Sequence, residues 1–213
     1  VKSMFSDNTF SKSINMSGVN SINWARIIAQ SVYYFYSFFS LNKKESVNFS
    51  VPTGNFGDVY AGYLSKKMGL PINKLIVATN QNDILHRAIS NGNYEAQKVS
   101  ETISPSMDIQ IASNFERLIF DLNNYDDVKT KNIMIKIKKD GKYLITNENL
   151  EKIKKDFVSA SIEESEVLNT IKKVYEKHKV ILDPHSAIGF CALGKVNIGE
   201  NNITLATAHP SKF

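Results

Sequence analysis

Hydrophobic and polar positions along the chain follow two periods, which predicts an α/β protein. Short apolar runs lie at 47–51 and 74–78, and the segments around them carry apolar residues every three or four positions. A short apolar run suits a buried strand, whereas the wider spacing suits one face of a helix. Strand, helix and strand at this spacing predict a right-handed βαβ unit with parallel strands, whose helix runs over 58–68.

A long amphipathic helix is predicted before the first strand. Asn20 or Ser21 suits its N-cap, and the pattern ends near Leu41. Seven residues at steps of three and four are expected to form one face that packs in the core: Ile22, Ala25, Ile28, Ala29, Val32, Phe35 and Phe39.

The second half predicts an antiparallel hairpin inserted into the α/β body. Isoleucines alternate with other residues over 133–137, Asp140-Gly141 suits a tight turn, and 143–145 is apolar. Helices are predicted at 150–158 and 163–178, and short strands at 180–182 and 204–206. The expected division is therefore a central α/β part over 1–122, a Lys-rich hairpin and helical insertion over 123–178, and a return to the sheet over 179–213. Both ends are expected to be cut from a longer chain.

Composition narrows the function classes. The 213 residues carry a net charge of +5, but the lysines are scattered, so a nucleic-acid partner is not expected. There is no apolar run of about 18 residues, so no membrane span is expected. The single cysteine, Cys191, excludes an internal disulfide and a cysteine-based zinc site, and no metal is expected. This usage fits a cytoplasmic location.

The strongest local signal is the segment Pro52-Thr53-Gly54-Asn55-Phe56-Gly57-Asp58, between a predicted strand and a predicted helix. The first turn of a helix leaves N–H groups unpaired, and its dipole favours an anion there. Gly54 and Gly57 are expected to make room for a phosphate. The spacing is neither a Walker loop nor a dinucleotide fingerprint, and an ordinary strand-to-helix turn is the alternative. Asp58 is expected to point away, toward solvent or the helix N–H groups.

Five segments in order carry a resemblance to a known family. They are Val19-Asn20-Ser21-Ile22-Asn23-Trp24-Ala25-Arg26, the loop Pro52–Asp58, Ser104-Pro105-Ser106-Met107-Asp108-Ile109, Asp183-Pro184-His185-Ser186-Ala187-Ile188-Gly189 and Ala206-Thr207-Ala208-His209-Pro210-Ser211-Lys212-Phe213. Together they resemble threonine synthase, most weakly over 123–176. The resemblance implies a fold-type II pyridoxal-phosphate enzyme with a three-layer parallel sheet like that of the tryptophan synthase β subunit. It also implies a lyase that converts O-phosphohomoserine and water to L-threonine and phosphate.

The same resemblance implies the residues that bind the cofactor. Gly54, Asn55, Phe56, Gly57 and Asp58 would surround the phosphate of pyridoxal 5'-phosphate, and Thr207 would face its pyridine nitrogen. A hydroxyl can donate a hydrogen bond to a neutral pyridine nitrogen but cannot keep that nitrogen protonated as a carboxylate does. That choice suits elimination and replacement on the substrate side chain more than transamination.

Six further polar residues are candidates for the substrate cleft. Each also has a plain structural interpretation as a helix cap, a surface ion pair or a structural histidine. They are Asn20, Ser21, Asn23, Arg26, His185 and His209.

The lysine that forms a Schiff base with the cofactor is not expected in this chain. In the family it lies in an upstream Phe-Lys-Asp context, and no such context occurs here. The chain alone is therefore expected to be inactive, without its lysine-bearing domain. Three alternatives stay open: another fold-type II enzyme such as a serine/threonine dehydratase, a non-catalytic phosphate-binding module, and a basic nucleic-acid binder. Whether the protein is a monomer or a homodimer is undecided.

Overall fold

Four parallel strands form the central sheet of the computed structural model, which describes residues 4, 7–16, 20–41 and 45–212. They are β1 Val47–Pro52, β2 Ile72–Thr79, β5 Phe157–Ser161 and β6 Asn202–Thr204, in the order β5-β2-β1-β6. A second sheet pairs β3 Asn93–Glu95 with β4 Lys142–Leu144 in antiparallel fashion. The predicted parallel βαβ unit is confirmed, because β1 and β2 pair directly, with Phe49 opposite Leu75.

Helices surround this sheet on both faces. In the described ranges they are α1 Asn8–Ser13, α2 Trp24–Ser40, α3 Gly57–Lys67, α4 Ile84–Asn91, α5 Phe115–Leu122, α6 Asp127–Asp140, α7 Asn147–Asp156, α8 Glu164–His178 and α9 Pro184–Lys195. Short 3-10 helices lie at Pro105–Met107 and Pro210–Lys212. None of these helices combines the length and apolarity that a membrane crossing needs.

The sheet divides the core into two layers, because side chains alternate along each strand. Leu75 and Val77 of β2 face the larger core beneath α3, α4 and α7, while Ile76 and Ala78 face a second core beneath α9. Helix α9 lies close to the sheet at Gly189, where a Cβ would come within 3.0 Å of Pro52 Cδ. This arrangement confirms the expected three-layer parallel sheet.

Helix α2 begins later than predicted, and the predicted apolar face is wrong. Asn23 is its N-cap and accepts a hydrogen bond from the Ala25 N–H at 2.9 Å. The buried positions are Ile27, Ser31, Tyr34 and Phe38. The residues predicted to be buried lie on a neighbouring stripe, where Val32 is 61% exposed and Phe39 is 68% exposed. Because the helix is apolar on more than one side, spacing alone did not select the stripe that packs.

The predicted hairpin insertion is wrong as well. Residues 133–137 belong to α6, which Asp126 caps by accepting from the Lys129 N–H at 2.8 Å and which Gly141 ends in the left-handed conformation, with φ 69°. The strand after Gly141 is real, but it pairs with β3 and not with 133–137. The small antiparallel unit therefore joins two distant segments.

The last part of the chain differs from the prediction in three places. Residues 180–182 are not a strand, β5 was missed at the end of a predicted helix, and α9 was not predicted. Since β5 pairs with β2, residues 157–161 of the expected insertion lie in the main sheet. The boundaries at 122 and 178 stay a prediction.

Candidate anion-binding site

A cavity of about 220 Å³ opens where β1 ends and α3 begins. Carboxyl ends of parallel strands are the usual place for ligands in open α/β sheets. The loop 53–58 forms one wall and Thr207 lies on another, so the structure brings these two predicted features together. The remaining lining residues are Ser21, Gln30, Pro52, Ser106, Met107, His185, Ala208 and Lys212.

The loop presents unpaired main-chain donors. The Thr53 N–H is bonded to the Ala78 carbonyl at 2.8 Å, which extends the β1–β2 ladder by one residue. Among the described residues, the N–H groups of 54–57 have no hydrogen-bond acceptor, and the first bond of α3 runs from the Tyr60 N–H to the Phe56 carbonyl. Unpaired N–H groups at the positive end of an 11-residue helix form a site for an anion.

Phe56 holds the loop in an unusual backbone conformation. Its φ of 65° lies in the left-handed region, which costs a non-glycine residue on the order of 1 kcal/mol. The ring is buried and packs edge-on against Phe115, with centroids 5.2 Å apart, and against Phe157 at 5.8 Å. The aromatic core thus stabilises the conformation that turns the chain into α3.

The two loop glycines were expected to make room for a ligand, and both line the cavity, but a Cβ on either would first meet neighbouring protein atoms. A Cβ on Gly54 would lie 2.8 Å from the Ser106 carbonyl oxygen and 3.2 Å from Met107 Cα. A Cβ on Gly57 would lie 3.1 Å from Ile27 Cδ1 and 3.2 Å from an Asn114 amide nitrogen. Both glycines instead let neighbouring protein segments approach the loop closely, and this fixes its shape.

Asn55 fastens the loop through its side chain. Its Nδ2 donates to Ser21 Oγ at 2.7 Å, and its Oδ1 accepts from the Ser113 N–H. These two bonds use the amide oxygen and one of the two N–H donors of the side chain, so they hold the Asn55 side chain in place against Ser21 and Ser113. Ser21 belongs to the predicted cleft residues, and its contact with the loop places the segment before α2 beside the cavity.

Asp58 was expected to point toward solvent or the helix N–H groups, but its side chain contacts Tyr34 instead. Its Oδ1 accepts a hydrogen bond from the Tyr34 hydroxyl at 3.2 Å, and the residue lines the cavity. Burial raises the pKa of this carboxyl from its ordinary value of 3.8 to about 6, although the Tyr34 hydrogen bond acts in the opposite direction. A carboxyl that is more readily protonated repels an anion less.

Thr207 and His185 line the cavity outside the loop. Thr207 is exposed and follows the short strand β6, while His185 is buried in the first turn of α9. The Asp183 carboxylate caps α9, accepting from the N–H groups of His185 and Ser186 and from the Ser186 hydroxyl, and it contacts His185 Nδ1 at 3.1 Å. Burial lowers the pKa of the His185 imidazole, although Asp183 acts to raise it.

Four predicted cleft residues do not line this cavity. Asn20 accepts from the Ile22 N–H at 3.0 Å, Asn23 caps α2, and Arg26 is exposed on that helix. His209 is exposed, and its Nδ1 accepts from the Ser211 N–H at 3.2 Å in a local turn. A role for these residues in the cleft stays a prediction.

Outside the loop segment Pro52–Asp58, five lining residues had been given no role: Gln30, Ser106, Met107, Ala208 and Lys212. Four of them belong to segments that carry the family resemblance, which was the signal available in the sequence. Gln30 lies on the predicted helix α2, and nothing in the spacing distinguished it from a surface residue.

A buried polar network holds Ser106 and Met107 against the loop. The Asp108 carboxylate accepts from Asn80 Nδ2 at 2.8 Å, from Asn82 Nδ2 at 3.0 Å and from both the N–H and the hydroxyl of Thr102. Asn80 follows β2 directly, so this network fixes 102–108 to the same edge of the sheet as the loop. Charge-assisted hydrogen bonds of this kind are among the stronger ones in proteins.

Comparison with known proteins gives a consistent result along the whole chain. The threonine synthase of Saccharomyces cerevisiae is 49% identical and that of Pseudomonas aeruginosa 45% identical, each over 100% of this chain and 46% of the relative. The crystal structure of threonine synthase from Brucella melitensis, bound to pyridoxal phosphate, superposes with a TM-score of 0.95 at 47% identity, over 99% of this chain and 46% of that one. No protein-family model matches.

Fold and cavity together define the class, which is that of the fold-type II pyridoxal-phosphate enzymes. Maize serine racemase, with a TM-score of 0.56 at 13% identity, shares the fold alone. Within that class the chain belongs to the threonine synthase family, as a region that spans slightly less than half the length of the relatives it matches.

Proposed function

We propose that this chain supplies the phosphate-binding part of a pyridoxal-phosphate-dependent threonine synthase. The observation that carries the proposal is that residues 54–57, whose N–H groups have no acceptor among the described residues, line the same cavity as Thr207. Phosphate oxygens need several convergent donors, and a helix N-terminus with free amides provides them. The two relatives described above, which match over the whole of this chain, are named threonine synthase.

The residues around the cavity fit pyridoxal phosphate in chemistry. The main chain of 54–57 would hold the phosphate, and the Thr207 hydroxyl would donate to the pyridine nitrogen. When bound, the cofactor supplies an electron sink for chemistry on the carbon atoms of an amino-acid substrate. Because a hydroxyl would leave the ring nitrogen neutral, Thr207 would moderate that sink and favour elimination and replacement.

The proposed reaction of the complete protein is the conversion of O-phosphohomoserine and water to L-threonine and phosphate. A phosphorylated substrate and a phosphorylated cofactor are both anionic. The Lys212 side chain on the cavity wall and the loop amides give the site the positive potential that such ligands require. We propose a cytoplasmic location, since the single Cys191 forms no internal disulfide.

Binding of the cofactor by this chain can be tested without turnover. Calorimetric titration is expected to show tighter binding of pyridoxal 5'-phosphate than of pyridoxal, because only the former engages the loop. Equal affinities for the two compounds would count against the phosphate site. Exposed Asp7, far along the chain from the loop, offers a control: Asp7→Asn removes one surface charge and should leave both affinities unchanged.

Covalent attachment is a separate question, and borohydride reduction with the cofactor followed by peptide mapping answers it. Lys212 is the lysine among the described residues that line the cavity. We expect no stoichiometric adduct, because the lysine of the family lies in another sequence context. A stoichiometric adduct on Lys212 that disappears in Lys212→Met, together with threonine formation, would overturn this expectation.

Substrate choice is tested in the complete protein. Phosphate release from O-phosphohomoserine is expected, without ammonia release from serine or threonine. Ammonia release at a comparable rate would assign the protein to a dehydratase activity of the same fold class.

A further inference from the structure

Asn114 connects three segments beside the anion loop. It is buried at the N-terminus of α5. Its Nδ2 donates to the Asn55 carbonyl at 3.1 Å and to the Ser21 carbonyl at 2.9 Å, and its own N–H also donates to the Asn55 carbonyl at 3.2 Å. The Asn55 carbonyl is therefore held by two donors from a single residue.

Because the peptide bond is planar, this contact also fixes the direction of the next N–H group. In a trans peptide the C=O of one residue and the N–H of the next point in opposite directions. A carbonyl of Asn55 held toward α5 therefore orients the N–H of Phe56 away from α5. Phe56 lines the cavity although its ring is buried between Phe115 and Phe157, so the atoms it turns to the cavity are main-chain atoms.

We propose that Asn114 is a positioning residue for the anion site, which holds the Asn55–Phe56 peptide so that the Phe56 N–H faces the cavity. Asn114 does not line the cavity itself. It acts through the loop, and the proposal rests on the proposed function only in taking a phosphate as the ligand.

Arg117 fixes the orientation of the Asn114 amide. Its Nε donates to Asn114 Oδ1 at 3.1 Å, which leaves Nδ2 to face the two carbonyls. The guanidinium is in turn held by the Ile22 carbonyl at 2.7 Å, and it lies over the Trp24 ring at 5.2 Å. An aspartate at position 114 would place an oxygen where Nδ2 now donates, and it would repel both carbonyls.

The test is titration of the chain with inorganic phosphate, followed by the amide NMR signals of the loop. In the parent chain the Phe56 amide signal is expected to move on addition of phosphate. In Asn114→Asp the dissociation constant for phosphate is expected to rise about tenfold, which corresponds to the loss of one good hydrogen bond. Affinity for pyridoxal, which lacks the phosphate, should change less than about twofold, since one distant side chain adds little to binding of the ring.

A matched control lies at the other end of α5. Asn123→Asp introduces the same change at a buried asparagine whose Nδ2 donates to Thr130 Oγ1 and which does not line the cavity. It should leave phosphate affinity unchanged. If Asn114→Asp does not fold, Asn114→Ala decides the question, because it keeps the main-chain donor to Asn55 and should give a smaller loss.

Three outcomes would overturn the proposal: phosphate binding as in the parent for both Asn114 variants, an equal loss in Asn123→Asp, or no movement of the Phe56 amide in the parent. A parent chain that binds phosphate at the loop but does not prefer pyridoxal phosphate over pyridoxal would count against the proposed function and leave the role of Asn114 intact.

Discussion

The two walls of the cavity are built in different ways. The loop wall, 53–58, is held by Ser106 and Met107 on one side and by Asn114 on the other, and its aromatic residue is anchored in the core. The Thr207 wall follows a three-residue strand, and its last ladder bond runs from the Leu205 N–H to the Ser50 carbonyl. Rigid surroundings preorganise donors for an anion, whereas an exposed hydroxyl adds one contact.

This difference predicts that changes in the loop wall disturb both folding and binding, whereas changes at Thr207 disturb binding alone. Gly54→Ala provides the largest expected effect. The added Cβ would lie 2.8 Å from the Ser106 carbonyl oxygen, and the backbone there cannot yield easily. We expect the free energy of unfolding to fall by about 3 kcal/mol, as overpacked sites do. Urea denaturation measures it.

Gly194 offers the matched control for that substitution. It lies in α9, and a Cβ there meets nothing within 4 Å. Gly194→Ala is expected to leave stability unchanged or to raise it by about 0.5 kcal/mol, because alanine is the better helix former. Equal losses at the two glycines would contradict the view that the loop is shaped by close backbone contact.

Asp183→Ala tests how much the hydrogen bonds around His185 contribute to stability. The substitution removes the cap of α9 and leaves the Ser186 hydroxyl and the His185 ring without their carboxylate partner. We expect a loss of about 2 kcal/mol in the free energy of unfolding. Asp126→Ala, which removes a cap from the exposed start of α6, should cost about 1 kcal/mol or less. A larger loss there than at Asp183 would refute the ranking.

The Asp58 carboxyl makes the stability of the protein depend on pH. Its pKa is raised to about 6 in the folded protein, so between about pH 4 and pH 6 the folded state binds more protons at this group than the unfolded state. Its contribution to stability is therefore present below about pH 4 and is lost as the pH rises through 6.

The measurement is the difference between the pH–stability curves of Asp58→Asn and the parent. A difference curve is needed because the lowered pKa of His185 gives a slope of opposite sign, with stability rising as the pH increases toward 6.5. Sulfate, whose charge is constant in this range, should also bind the parent less tightly above pH 6. If Asp58→Asn keeps the pH dependence of the parent, the assignment to this carboxyl is wrong.

The local structure could be predicted from the sequence where one rule decided it. The loop 53–58 sits between a buried strand and a helix, and turn chemistry placed it correctly. The predicted secondary structure was wrong where two local rules competed. Over 133–137 the alternation of isoleucines favoured a strand, but the cap at Asp126 and the left-handed Gly141 mark the two ends of a helix. Capping and length outweighed a period read from three residues.

Contacts between distant segments could not be predicted from the sequence. The stripe of α2 that packs was decided by Tyr34, which lies so close to Gly62 of α3 that a Cβ there would meet its ring at 2.5 Å. In the same way, Gly54 and Gly57 matched the pattern of a phosphate loop. The structure shows that glycine is needed there because Ser106 approaches Gly54 and Ile27 approaches Gly57. The sequence predicted that glycine was needed; only the structure showed what approaches it.

The smallest expected effect is that of Thr207→Val, which tests the weaker wall. Thr207 is exposed, so the free energy of unfolding should change by less than about 0.5 kcal/mol. Affinity for pyridoxal 5'-phosphate should fall by about 1 kcal/mol, the value of one neutral hydrogen bond. Affinity for inorganic phosphate should stay the same, because that ligand reaches only the loop. Thr207→Ser keeps the hydroxyl and should bind like the parent.

A loss of phosphate affinity in Thr207→Val would show that the two walls act as one unit, and the contrast between a preorganised loop and a single exposed contact would then be wrong.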